Sequence, residues 1–142
     1  MLALDSATMA DIWEQRESSV TDLFLAAAAG LRSLQALQRR YDDEMWDIDD
    51  PIFAKIRHIQ LHLSITVGKL ARALEPLDHR EHRDEQIDLA DLTDALGPVL
   101  ADLVMHAAQL ANAVGEGLPG ALRARYQQNA KRFAPSSAFA GI

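Results

Sequence analysis

Residues 58–75 read HIQLHLSITVGKLARALE. With Ile56, the apolar positions Ile59, Leu63, Val67, Leu70 and Leu74 recur at steps of three and four, the stripe of an amphipathic helix. The helix is predicted to run from Ile52 to Leu74. Asp50 followed by Pro51 marks its start, a cap and then proline at the first turn. Upstream, Leu23, Ala27, Leu31, Leu34, Tyr41 and Met45 trace a second helical stripe from Val20 onward. Gly30 and the run Ala26–Ala29 are small enough for close helix approach, and RRYDDE then leads into the break WDIDDP. Downstream, EPLDHREHRDEQ (75–86) reads as a charged connector. Gly97-Pro98 is predicted to divide the next apolar segment into a short helix near 88–96 and a main helix near 98–114. Pro119 stands near the start of a last helix that ends at about Phe133. The pattern is all-α, a bundle of four main helices with short connections.

The flanks are less regular. Residues 1–19 form an N-terminal extension in which Ser6 is placed to cap a short helix over Ala7–Arg16. Residues 20–133 make up the helical domain, and 134–142 a flexible tail. Trp13 and Trp46 are expected to pack or to sit at an interface. The chain of 142 residues suits one domain, and 49% hydrophobic residues supply a core. Fourteen Lys and Arg against 21 Asp and Glu give a formal charge of −7, with no cysteine. That balance lacks the footprint for nucleic acid or an anionic membrane, and it leaves no disulfide or thiolate chemistry. MLALDSATMADIWEQ has no secretory pattern, and the apolar run around LFLAAAAGL is too short for a bilayer. A cytoplasmic location follows as the expectation.

One face of the 52–74 helix carries the chemistry. At 100° per residue, Ile65, His58, Lys69, His62 and Thr66 fall within a sector of about 100°. On the following helix Ala95, Val99, Asp102, His106, Gln109 and Ala113 form one stripe. Antiparallel packing of the two would set Thr66 near Asp102 and His62 near His106, around a possible cavity.

These segments resemble the MazG-type all-α nucleotide pyrophosphohydrolases over residues 20–133. The matching stretches are LSITVGKLARALE, VLADLVMHAAQLANAVG and ALRARYQQNAKRF, in that order. The resemblance implies a bundle completed by a second chain, so a homodimer or a dimer of dimers. It also implies magnesium held by a Glu-Glu-x-x-Glu motif on one helix and Glu-x-x-Asp on the next. Here the former positions hold Ile65, Thr66 and Lys69, and the latter Val99 and Asp102. One carboxylate cannot assemble a magnesium cluster, and Lys69 would repel the cation. The expectation is therefore a family member without pyrophosphohydrolase activity and without magnesium or another required cofactor. It would keep a pocket for a nucleotide-like ligand at His62, Thr66, Lys69, Asp102 and His106. Asn129 and Arg132 join that pocket by resemblance to the family's last helix. Lys69 either pairs with Asp102 where the metal would sit or extends to solvent.

Two rivals stand beside this. His58 and His62, at i and i+4, could hold zinc or another transition metal with Asp102 and His106, giving a metal-dependent nucleotide or phosphate-ester hydrolase. Alternatively the chain is a structural or regulatory module for an unknown protein partner, marked by an exposed apolar patch. His79 and His82 read as part of a solvated connector. Arg123, Arg125, Lys131 and Arg132 complement the last helix's C-terminal dipole.

Overall fold

The computed structural model describes residues 19–45 and 51–142. These residues form four helices without a strand: α1 Val20–Met45, α2 Ile52–Glu81, α3 Leu89–Val114 and α4 Leu118–Phe133, followed by a 3-10 turn at Ala138–Ala140. The expected Ala7–Arg16 helix, both tryptophans and Asp50 lie outside the described residues.

Local chemistry fixes most helix ends. Ser19 Oγ accepts from the Asp22 backbone N–H at 3.1 Å, and its own hydroxyl donates to the Asp22 carboxylate at 2.7 Å. This satisfies one orphan donor of α1 and places a negative charge at the positive end of the helix. Pro51 precedes α2 with φ −53° and ψ 145°. Asp88 caps α3 by accepting from Ala90 N–H at 2.8 Å. Gly115 closes α3 in the left-handed region at φ 69°. The N–H groups of Glu116 and Gly115 bond back to Ala111 and Asn112, so two terminal carbonyls are satisfied. Pro119 lies in the first turn of α4, as its sequence position indicated.

Two expectations are corrected. Gly97-Pro98 does not divide the third segment: α3 is continuous and carries Pro98 inside it. The connector 75–86 is helical as far as Glu81, with Pro76 inside α2. Both prolines are on exposed faces. There the carbonyl that each leaves unbonded, four residues earlier, can turn to water. Beyond Pro76, residues 77–82 contain no glycine and carry the i, i+4 pair Asp78 and His82, so the helix continues.

The chain divides into two compact units. One is Leu34–Glu116, comprising the C-terminal half of α1 with the antiparallel pair α2 and α3. The other combines the N-terminal half of α1 with α4 and residues 117–142. The stretch 20–133 contributes to both. In the second unit Phe24 and Ala28 are buried, and the Arg123 guanidinium lies 4.9 Å from the Phe24 ring centroid. Residues 134–142, expected as a flexible tail, carry the 3-10 turn, with Phe139 5.5 Å from the Tyr126 ring.

The buried face of α1 is one residue away from the stripe read in the sequence. Phe24, Ala28 and Gln38 are buried, whereas Leu23, Tyr41 and Met45 are exposed. On α2, Ile56, Ile59, Leu63 and Leu70 are half-buried, Val67 and Leu74 are exposed, and Thr66 is the buried residue. By length and composition α1 passes as a candidate membrane span, a property the sequence reading did not anticipate from its apolar run. Alanines supply much of that apolarity; Phe24 and Ala28 are buried, but only 11% of the apolar window is.

Candidate functional site

Within the Leu34–Glu116 unit the three helix segments line a cavity of about 860 Å³ that is open to solvent on one side. Its α2 wall presents Lys55, His58, His62, Ile65, Thr66 and Lys69. Its α3 wall presents Asp102, Met105, His106 and Gln109, and the end of α1 adds Tyr41, Asp42 and Asp43. On α2, Lys55, His62 and Lys69 are each seven residues apart, nearly two turns, so they project from one face.

The antiparallel register joins the groups that the helical wheel placed opposite one another. Thr66 is 1% exposed, and its Oγ1 lies 3.3 Å from His106 Nε2 and 3.5 Å from Asp102 Oδ2. Lys69 Nζ donates to the same Asp102 oxygen at 3.1 Å. The ammonium therefore pairs with the carboxylate rather than extending away from it. The side chains remain 52% and 33% exposed, so water screens the pair.

A polar relay continues from His106 toward α1. Gln109 Nε2 donates to Asp42 Oδ1 at 2.8 Å, which turns the Gln109 carbonyl oxygen toward His106 Nδ1 at 3.0 Å. That oxygen can only accept, so Nδ1 donates to it, and the Thr66 hydroxyl stands within reach of both His106 Nε2 and Asp102 Oδ2. Gln38, 4% exposed, also donates to Asp42 Oδ1 at 2.8 Å. Farther along, Asn112 Nδ2 donates to the Gln35 carbonyl at 2.9 Å, and Gln35 Nε2 donates to the Glu116 carbonyl at 2.9 Å. None of the buried side-chain polar atoms among the described residues lacks a partner.

Thr66, His106 and Gln109 follow the order of nucleophile, base and orienting group. Burial removes the nucleophilic role, because an attacking oxygen must reach substrate and Thr66 is 1% exposed. Its hydroxyl links α2 to α3.

The His58 and His62 rings meet edge to face at 4.5 Å, and His62 is 6.4 Å from the His106 ring, measured between centroids. Among the described residues, no group of three or more His, Cys, Asp or Glu is arranged to hold a metal ion. Of the positions that the resemblance aligns with the family's acids, Ile65, Thr66, Lys69 and Asp102 line the cavity, whereas Val99 is buried at 3% exposure outside its lining. Asn129 and Arg132 belong to the other unit. Asn129 lines a small pocket with Tyr126 and Phe139, and the Arg132 guanidinium lies 4.9 Å from the Phe133 ring.

Sequence reasoning missed Lys55 and the α1 wall. The run RRYDDE was visible, but its role depends on how α1 rotates. Gln35, Gln38 and Asp42, at steps of three and four, were the available signal of a polar inward face. Matched against protein-family models, curated proteins and solved structures, the chain has no counterpart among them.

Proposed function

We propose that this chain is a MazG-like protein without nucleoside triphosphate pyrophosphohydrolase activity, whose cavity binds a nucleotide-like ligand without a metal. The Lys69–Asp102 pair inside the cavity carries the reading. The resemblance assigns this place to a divalent cation among carboxylates. In this chain one carboxylate remains, and an ammonium occupies the cation's electrostatic role. Lysine has three donors, so Lys69 can keep Asp102 and still meet a phosphate oxygen. His62 stands on the same face of α2.

The reading includes a homodimer, or a dimer of dimers. Leu61, Ile65, Val67, Leu100 and Val104 are each about half exposed on α2 and α3, from 48% to 57%. Helices with such apolar faces gain by packing against further helices, and a second α2–α3 pair would supply them. Light scattering coupled to gel filtration should give twice the chain mass or a multiple of it. A monomer at micromolar concentration would remove the dimer from the reading.

A thermal-shift panel of nucleoside mono-, di- and triphosphates, with and without magnesium, manganese or zinc, tests the ligand. Binding to the native state raises the melting temperature as ligand exceeds its Kd. Stabilisation by nucleotide without metal is the expected result. Stabilisation by zinc alone would replace the reading with a histidine metal site at His58, His62, Asp102 and His106. The absence of any shift would replace it with a helical interaction module.

A further inference from the structure

We infer that the α1 wall of the cavity reads the base of the bound nucleotide, and that Asp42 selects bases carrying an exocyclic amino group. The inference rests on the nucleotide reading above and adds a specificity to it.

Asp42 is held from two sides. Its Oδ1 accepts from the amides of Gln38 and Gln109, both at 2.8 Å. Each amide is itself fixed: Gln38 is 4% exposed, and the Gln109 oxygen accepts from His106 Nδ1 at 3.0 Å. The carboxylate plane is thereby set before any ligand arrives. Two donors occupy Oδ1, while among the described residues no side-chain donor reaches Oδ2. Asp42 lines the cavity, and an ionised carboxylate only accepts hydrogen bonds, so the oxygen that the two amides leave is the acceptor it can offer there. Asp43 lines the same wall and gives it the same sign.

The two ends of the cavity differ in what they offer. Gln109, which holds Asp42, is seven residues beyond Asp102 on α3, roughly 10 Å at the helical rise of 1.5 Å per residue. Asp102 is where the Lys69 ammonium sits. A cation thus stands at one level of the cavity and an oriented acceptor about two turns away. A nucleotide lying along α3, with phosphate at Lys69 and base at Asp42, matches that order of charge. Cytosine presents an N4 amino donor, whereas uracil presents at that position the O4 acceptor that thymine carries. Facing Asp42 Oδ2, the amino group forms a charge-assisted hydrogen bond, and the carbonyl sets two lone-pair oxygens against each other.

Cytidine and uridine diphosphates share sugar and phosphates and differ at this edge, so they are the probes. Titration calorimetry on the full chain, without metal, should give at least tenfold tighter binding of cytidine diphosphate, a difference of about 1.4 kcal/mol. Asp42→Asn keeps one oxygen to accept from Gln38 and Gln109 and turns the other atom into a donor. That variant should reverse the preference toward uridine diphosphate, with an unchanged circular dichroism spectrum. Equal affinities in the wild type, a uridine preference there, or a ratio untouched in a folded Asp42→Asn protein would overturn the inference and leave the nucleotide pocket standing. Binding of neither diphosphate, together with no response across the thermal-shift panel, would overturn both. If the variant does not fold, the wild-type ratio decides alone.

Discussion

Replacing Lys69 by Met removes the ammonium and keeps most of the aliphatic stem, which separates charge from packing. The ammonium lies 3.1 Å from Asp102 Oδ2, with side chains 52% and 33% exposed. Pairs so placed contribute about 0.2–1 kcal/mol, because solvent screens them and two long side chains lose freedom. Asp102 also keeps a neighbour: the Thr66 hydroxyl lies 3.5 Å away and can rotate toward it. Lys69→Met is therefore expected to lower the unfolding free energy by about 1 kcal/mol or less. The gap from wild type should narrow with salt, as the screening length falls from about 10 Å at 0.1 M to about 3 Å at 1 M. Urea unfolding of both proteins at those two salt concentrations, at one fixed protein concentration, measures this. The same variant should lose the thermal stabilisation given by nucleotide in the wild type. A salt-independent loss above about 2 kcal/mol would refute the screened-pair argument, since only a desolvated charge left unpaired costs that much. Nucleotide stabilisation unchanged by the substitution would take Lys69 out of the anion site.

Three further outcomes follow from named contacts. Thr66→Val preserves shape and removes the hydroxyl shared with His106, so it should cost about 1 kcal/mol. Thr66→Glu places an acid at a position 1% exposed beside Asp102 and should cost several times more, or prevent folding; equal unfolding midpoints for the two variants would contradict the burial. Gly68 has a helical backbone with open space for a methyl group, so Gly68→Ala should stabilise by about 0.5–1 kcal/mol. Gly115→Ala, at φ 69°, should instead destabilise by about 1 kcal/mol, and opposite signs in thermal melts are the check. His82 has its pKa raised, chiefly by its hydrogen bond with the Asp78 carbonyl and then by the Asp78 carboxylate. Its protonated form is favoured in the folded state, so any stabilisation is full below the ordinary histidine range and is lost as pH rises through the raised value. A His82 NMR titration midpoint above about 6.5 is expected, and one at or below it would contradict the assignment.

The sequence carried the α2–α3 face well, because helical periodicity is a local property and the antiparallel register follows from a short connection. Thr66 meets Asp102 in the structure as the wheel arranged it, while His106 reaches Thr66 and its ring lies 6.4 Å from that of His62, the neighbour the wheel had named. The pair between Lys69 and Asp102 was one of two open outcomes, and the register decides it. The charged run 75–86 and Gly97-Pro98 misled because neither charge nor a proline on an exposed face need end a helix, the carbonyl that the proline frees turning to water. The inward rotation of α1 was illegible for a different reason. Its apolar residues surround much of the helix, so the stripe through Leu34 and Tyr41 competed with the one through Phe24 and Ala28. The local signal that survived, the polar series Gln35, Gln38 and Asp42, gains its meaning only from a tertiary contact, the Gln109 amide on Asp42.

The amides joining α1 to α3 also bear on how the cavity wall breathes. The C-terminal half of α1 is attached through Gln35 and Asp42, while Leu37 and Met45 on the same half are 66% and 62% exposed. A segment with little apolar burial opens at low free energy, ahead of global unfolding, and its amide protons exchange accordingly. Residues 34–45 should therefore exchange with deuterium sooner than the centres of α2 and α3. Each opening would carry Asp42 away from Gln109. A ligand that grips Asp42 would be captured by a fold-and-unfold equilibrium of one wall, and slowed exchange confined to that segment would be its signature.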